Sequence, residues 1–504
     1  MIAETKMDLK FEDSQCEDAQ EELAQLQCWV THAVEAGTAF DGVERHLFRK
    51  ILEIGRHVMG RFLTLTGPGD LGESVALEGS GVVRRWPEQQ SRRLVSVFGE
   101  FMIPRCVYGS RPGQKIQWVP TDQRLQLPES DLSYLLQEWD QLLGVEHAFA
   151  MVGETLQAIL GLKQSVDTLE RGNQQMAQTA PGFRQQQPAP SPEQEKQLLV
   201  VSEDNKGVPM VRPVTAILPG IHRKKGEKAN KKQMACIGVA YTVDPHPRTP
   251  EELVSTLFRE APRPKQSLPE ASQKRYWASL SREEDDKMIR AQDEVFQHLR
   301  DEVQVRRQPG QVLLHLCDGQ HSLETDGRKY LPKDAVDILD LMHVLPRLWE
   351  AAHLFHPEGS HEATEFMKGR LLGVLTGKLS RVIGDLRRLG TRKKLRGERR
   401  KRLARLCEYL KKNKHRMRYD EYLKAGYPIA TGVIEGACRH VIKDRMERTG
   451  MRWKVPGAQA MLQLRVIRTH GDWGVFQKYR IKQETLRLYP HANATENIPW
   501  PIAA

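Results

Sequence analysis

The sequence predicts a multidomain α/β protein, and three observations carry that expectation. Apolar, strand-like runs at 197–203, 232–243 and 310–317 alternate with helix-prone segments, as they must when helices cover a sheet. A Gln- and Pro-rich stretch at 178–195 divides these runs from a mainly helical N-terminal part. The length, 504 residues, is enough for more than one core.

Taken in order, the first residues, "MIAETKMDLKFEDSQCEDAQEE", are acidic and polar, unlike a signal peptide. No apolar run approaches the ~20 residues that cross a bilayer, so a cytoplasmic protein without a membrane partner is expected. Residues 41–63 place Leu47, Ile51, Ile54, Val58 and Phe62 on one helical stripe. Asp41 and Glu44 ahead of it have capping-box spacing. "RRLVSVFGEFMIPRCVYG" (92–109) alternates around Gly99 as strands do, and 115–128 continues the β-like texture into turn residues. Over 147–177 a helix, a break at Gly161, an N-cap at Ser165 and a second helix outline a helix-turn-helix, an outline any helical hairpin shares. Residues 1–177 are expected to bind DNA or assemble copies, and 178–195 to be a linker.

Beyond it, "QLLVVSEDNKGVPMVR" (197–212) predicts a buried strand that runs into Asp204 and a turn at Gly207. "KQMACIGVAYTV" (232–243) is a second strand, helices are expected at 250–260 and 281–307, and "GQVLLHLCDGQ" (310–320) is a third strand ending at Asp318. Residues 334–355 read as an amphipathic helix containing Asp340 and His343, and 346–418 as a basic helical region. In "GYPIATGVIEGACRHVIKDRMERTGMRW" (426–453), Thr431–Gly432 open a helix with Glu435 in its first turn. Arg439, Lys443, Arg445 and Arg448 follow.

The seven cysteines form no C-x-x-C pair, so they propose neither a zinc site nor a disulfide framework. Net charge is +11 and unevenly spread, concentrated at 222–232 and at 387–418, which includes Lys393, Lys394, Arg399 and Arg400. Such stripes attract polyanions, nucleic acid first among them, although a solvated helix face is the plain alternative.

An acid just past a buried strand sits at a fixed point on the sheet's edge. Asp204 and Asp318 are two such acids, and Glu435 adds a third. Three fixed carboxylates can hold two divalent cations through hard oxygen ligands and so support phosphodiester chemistry. A strand-end Asp more often only caps a turn, and Asp244 in "VDPHP" fits that role. Asp326, Asp334 and Asp337 also lie near Asp318. Asp340, beside His343, competes with Asp318, which is preferred because a strand terminus holds a carboxylate more rigidly. Glu435 and Arg439 share a helix face at i, i+4, so phosphates could run from the acid along the cations.

"SEDNKGVPM", "LCDGQHSL", "DILDLMHVLPRLWEAAHLF", the 426–453 stretch and "AQAMLQLRVIR" together resemble bacterial insertion-sequence transposases of the ISKra type, relatives of the Mutator-like group. The resemblance covers roughly 196–480 and extends more weakly to "VFGEFMIPRCVYG", "LQLPESDLSY" and "LKQSVDTLE". It implies an RNase H-like mixed sheet with flanking helices, its core split as 196–345 and 419–504 around a helical insertion at 346–418. It implies Asp204, Asp318 and Glu435 as the catalytic, metal-binding acids, with Asp340 and His343 near them. Two Mg2+ or Mn2+ ions, double-stranded DNA as partner, a homo-oligomer and a bacterial, nucleoid-associated location follow from the same likeness. Asn205 departs from it, standing where a Gly is expected.

Overall fold

The computed structural model describes residues 15–77, 81–110, 115–211, 232–260, 269–430, 432–490 and 500. The basic stretch at 222–232, apart from Lys232, and Thr431 lie outside them. The chain divides into two compact units: Met1–Thr179 with Gly474–Ala504, and Ala180–Trp473. No described helix is long and apolar enough to cross a membrane.

The first unit opens with α1 (Gln15–Glu35) and α2 (Phe40–Thr66), joined through Gly37 at φ 62°. The expected capping box is absent: Ala39 is the N-cap, and Asp41 lies inside the helix, 3.0 Å from Arg45. The apolar stripe is also set differently from the expectation. Leu63 and Met59 pack on a β-hairpin, whereas Ile51, Val58 and Phe62 are exposed. Strands β1 (Ser74–Leu77) and β2 (Gly81–Arg85) precede that hairpin, formed by β3 (Gln90–Ser96) and β4 (Gly99–Arg105). Gly99 at φ 118° supplies the turn conformation that other residues rarely adopt. Strand β5 (Tyr108–Gly109) pairs with β2. Residues 115–128 are not a strand: Trp118 bridges Tyr108, and Pro120–Arg124 form α3. Helices α4 (Tyr134–Gly144), α5 (Phe149–Leu160) and α6 (Val166–Ala177) follow. Gly161 closes α5 in the left-handed conformation, and Ser165 caps α6 by accepting from the Thr168 amide.

In the second unit the supposed linker is largely folded. Ala180–Gln186 form α7, whose Arg184 is buried with its guanidinium 4.1 Å from the Trp277 ring. An arginine stacked on an aromatic face gains attraction and packing at once, which is why this polar segment does not stay extended.

The unit's core is a five-stranded sheet. Its strands are β6 (Leu198–Pro209), β7 (Lys232–Val243), β8 (Ser272–Leu280), β11 (Val312–Cys317) and β12 (Val336–Leu339). Between β7 and β8 lies α8 (Pro250–Leu257). Between β8 and β11 come the hairpin β9 (Arg282–Glu284) and β10 (Lys287–Ile289), then α9 (Ala291–Arg306). The order is β12-β11-β6-β7-β8. β7 is antiparallel to both β6 and β8, while β11 and β12 run parallel to β6. Helix α9 covers one face, and Val295 and Leu299 press on Gly238, where even a Cβ would stand 2.6 Å from Val295.

Three expectations are corrected here. β6 does not turn at Gly207; it stays paired with β7 from Leu198↔Val243 to Pro209↔Lys232, and Asn205 has no positive φ. The helix expected over 281–307 begins only at Ala291, because Asp285 and Asp286 turn a hairpin at φ 49° and 58°. The helix expected over 334–355 is strand β12 followed by α11 (Leu341–Phe355). α10 (His321–Tyr330) lies between β11 and β12. After α11 come α12 (His361–Leu375), α13 (Leu379–Arg392), α14 (Gly397–Lys412) and α15 (Tyr419–Lys424). The chain returns to the sheet with α16 (Gly432–Ala437), a π-helical turn Cys438–Lys443, α17 (Asp444–Met446) and α18 (Val455–His470).

Candidate active site

The parallel pairing of β6 with β11 reaches only to Val201↔His315, while β6 continues against β7. Asp204 is therefore not past the strand, as expected, but inside β6, paired with Ile237, at the point where the sheet opens on its other side. Its Oδ1 accepts from the Asn205 amide at 2.7 Å. Asp318 comes one residue after β11 and accepts from the Gln320 amide at 2.7 Å. Asp340 comes one residue after β12, and its amide donates to the Cys317 carbonyl at 2.9 Å. Its carboxylate caps α11 by accepting from Met342 N at 2.7 Å, so it is a strand-end acid and an N-cap together, not a mid-helix residue. The Leu341 amide donates to Ile429 O at 2.8 Å, which ties the segment leading to α16 to this same edge.

One small cleft results, lined by Glu203, Asp204, Asp318, Asp340, His343 and Glu435. His343 Nε2 lies 3.4 Å from Glu435 Oε1. Donor atoms of Asp340, His343 and Glu435 all fall within 4.8 Å of one another. The Asp204 carboxyl is pushed up, chiefly by burial, with the charges of Glu435 and Asp318 adding to it and a Cys438 thiol hydrogen bond opposing it. No lysine or arginine is among the described residues lining the cleft. Five carboxylates and an imidazole line the cleft without a lysine or arginine. The donor atoms near enough to share one divalent cation are those of Asp340, His343 and Glu435, a set such an ion fits; Asp204 and Asp318 line the same cleft but belong to no such group among the described residues.

Beneath the cleft lies an arrangement that the sequence reading did not reach. His315 is fully buried, with Nε2 2.7 Å from Glu203 Oε1 and Nδ1 2.7 Å from Asp337 Oδ1. Gly327 makes room for the ring, since a Cβ there would lie 2.2 Å from His315 Cε1. Burial works against charge on His315, but Glu203 and Asp337 prevail and hold it well above the ordinary histidine value. Asp337 is lowered: burial raises it, and the His315 hydrogen bond and charge outweigh that. The three residues stand on β6, β11 and β12, the strands that deliver Asp204, Asp318 and Asp340. Glu203, His315 and Cys317 also bring donor atoms within 4.8 Å of one another. The available signal was a histidine inside the apolar run "VLLHLC".

The rival acids are engaged elsewhere: Asp326 with Arg290 at 2.8 Å, Asp334 with Arg307, and Asp244 with Lys196 at 3.4 Å. Among the cations after Glu435, Arg439 is exposed and pairs with Asp444 at 3.6 Å. Lys443 is half-buried, and Arg448 is exposed with Nε donating to the Asp444 carbonyl. Arg445 is a correction: it is 1% exposed, packed 4.9 Å over the Trp453 ring, and presents nothing to a DNA backbone. The π-helical turn after Ala437 also changes the helical phase, so the i, i+4 stripe from Glu435 does not continue. Lys393, Lys394 and Arg400 are exposed around the α13–α14 connection, whereas Arg399 donates to the Leu354 carbonyl.

No family model and no curated protein matches the chain. Among solved structures, it is similar to a Drosophila P element transposase strand transfer complex, with 10% identity, 78% of this chain and 90% of that chain covered, and a TM-score of 0.23. A likeness that slight carries no argument.

Proposed function

We propose that the chain is a DNA transposase with an RNase H-like core, of the insertion-sequence type its motifs resemble. The observation that carries this reading is the cleft itself. Asp204, Asp318 and Glu435 come from distant parts of the sequence, and they line one cavity with Asp340 and His343. The sheet supports it too: three antiparallel strands followed by two strands parallel to the first make a mixed sheet of the implied kind, with flanking helices. Helices α12–α14 fall within 346–418 and would be the helical insertion.

Asp204, Asp318 and Glu435 would hold two Mg2+ or Mn2+ ions, with Asp340 as a further oxygen donor. Bound there, such ions activate an attacking oxygen and stabilise the departing one. The protein's part is placement. Strands β6, β11 and β12 fix three carboxylates, the Glu203–His315–Asp337 contacts brace those strands from below, and His343 orients Glu435. Water first cleaves the phosphodiester at the element's end, leaving a 3′-hydroxyl, and that hydroxyl then attacks target DNA and displaces a strand. Residues 1–177, including the α5–α6 hairpin, would bind the terminal repeats. Copies of the chain would hold two ends together.

The test is incubation with Mg2+ and a duplex bearing the repeats that flank the coding sequence. Cleavage at the repeat boundary, with a free 3′-hydroxyl that joins target DNA, is expected. Preferential cutting of an RNA–DNA hybrid would replace this reading with a nuclease. Salt-sensitive binding without any cleavage would replace it with an inactive, transposase-derived DNA-binding protein.

A further inference from the structure

Helices α13 and α14 cross closely at Gly390, where a Cβ would stand 2.5 Å from Leu403 Cδ2. The connection between them is Lys393–Arg396, in which Lys394 takes φ 51°. The two helices and this connection line an open groove of about 850 Å3. Five cations line it: Arg387 from α13, Lys394 and Arg396 from the connection, and Arg400 and Arg405 from α14. Glu408 is its one acid among the described residues. Arg405 is paired with Glu398 at 2.6 Å, but Lys394, Arg396 and Arg400 have no acidic partner among the described residues. Its apolar lining is Leu395, half-buried, Ala404, exposed, and Leu403, only 5% exposed.

Charge alone would describe a solvated helix face or a landing place for duplex phosphates. The apolar lining and the size argue for something narrower. About 850 Å3 is the scale of sites that enclose a small ligand, roughly 300–1,000 Å3, and a duplex could only lie across it. In a duplex the faces of each base are already stacked, so they offer nothing to Leu395 and Ala404. An unpaired nucleotide has both parts the groove fits: a base face for the exposed aliphatic surface, and phosphates for the guanidinium groups that line it.

We propose that this groove takes an unpaired nucleotide of a DNA strand, such as the single-stranded flank exposed beside a cut end. The proposal rests on the transposase reading, because it assigns the groove to one strand of that reading's substrate.

Fluorescence anisotropy on the full chain in EDTA tests it, with three probes: a blunt duplex, the same duplex with a short single-stranded tail, and that duplex with an abasic tail. The tailed duplex should bind about tenfold more tightly than the blunt one, and removal of the tail's bases should erase most of that gain. Arg396→Ala with Arg400→Ala, both exposed, should abolish the preference for the tail and change blunt-duplex affinity far less. Equal binding of tailed and blunt duplexes, or an abasic tail as good as an intact one, would overturn the proposal and leave the cleavage reading standing. Displacement of the tail by micromolar free deoxynucleoside triphosphate would also overturn it, by showing a free-nucleotide site. Failure to bind any of the DNAs would remove both this proposal and the reading beneath it.

Discussion

The imidazole of His315 lies 2.7 Å from a carboxylate oxygen of Glu203, and both side chains are fully buried. A buried charge pair is weak evidence of net stability, yet removal of one partner strands the other. His315→Ala should therefore cost about 3–5 kcal/mol, read as a lower urea midpoint at unchanged slope. A loss below about 1 kcal/mol would show that the three strands do not depend on this brace.

Asp140 offers a pH test away from the cleft. It is 2% exposed, and burial pushes its carboxyl up to about 7 against a single hydrogen bond from Gln164 that lowers it. A carboxyl raised on folding keeps its proton in the native state after the unfolded chain has lost it. Stability then falls as pH rises from about 4 to about 7 and is flat beyond. Asp140→Asn should remove that slope and stabilise the protein at pH 8 by up to about 4 kcal/mol. Parallel urea titrations at pH 5 and pH 8 check it, and an unchanged gap between variant and wild type would contradict it.

Arg439 and Arg445 separate exposed from packed cations on one short stretch. Arg439→Ala should reduce the slope of log affinity against log salt by about 1 on DNA, with the fold intact. Arg445→Ala should instead lower the thermal midpoint, because its guanidinium covers Trp453 and is 1% exposed. A reversed pattern would mean that the buried side chain leaves its packed position on binding DNA.

The cleft predicts a response to metal. Five carboxylates without a lysine or arginine among them repel one another, so Mn2+ or Mg2+ should raise the thermal midpoint. The gain is about 2.7 kcal/mol when free ion stands at 100 times its dissociation constant. Glu435→Gln should abolish the metal-induced gain and leave the metal-free protein no less stable. Thermal melts with and without EDTA distinguish the cases, and an unchanged gain in the variant would remove Glu435 from the ligand set.

What could be read from the sequence follows the strength of each local signal. Asp204 and Asp318 could be picked out because long apolar runs end beside them, although Asp204 stands within β6, and Glu435 because cations follow it in the sequence, although none of them lies on α16. Strand β12 was not: its four residues, Val336–Leu339, abut the N-cap Asp340, so strand and helix merge into one apolar periodicity. That merger hid Asp340 as a strand-end acid equal in kind to Asp318. The Glu203–His315–Asp337 contacts were hidden for another reason. Each looks like a lone polar residue in or beside an apolar strand, and only the parallel register of β6, β11 and β12 makes them neighbours. Polar segments misled as well. Residues 178–195 have a linker's composition, yet Arg184 anchors α7 on Trp277, a contact between residues far apart in the chain.

The most direct measurement is metal-dependent DNA cleavage by Asp318→Asn, made beside wild type on one end-bearing duplex with binding followed in parallel. The variant should bind the DNA with wild-type affinity and salt dependence while cleavage disappears in both Mg2+ and Mn2+. Cleavage at an undiminished rate by a folded, DNA-bound Asp318→Asn protein would contradict the proposed function.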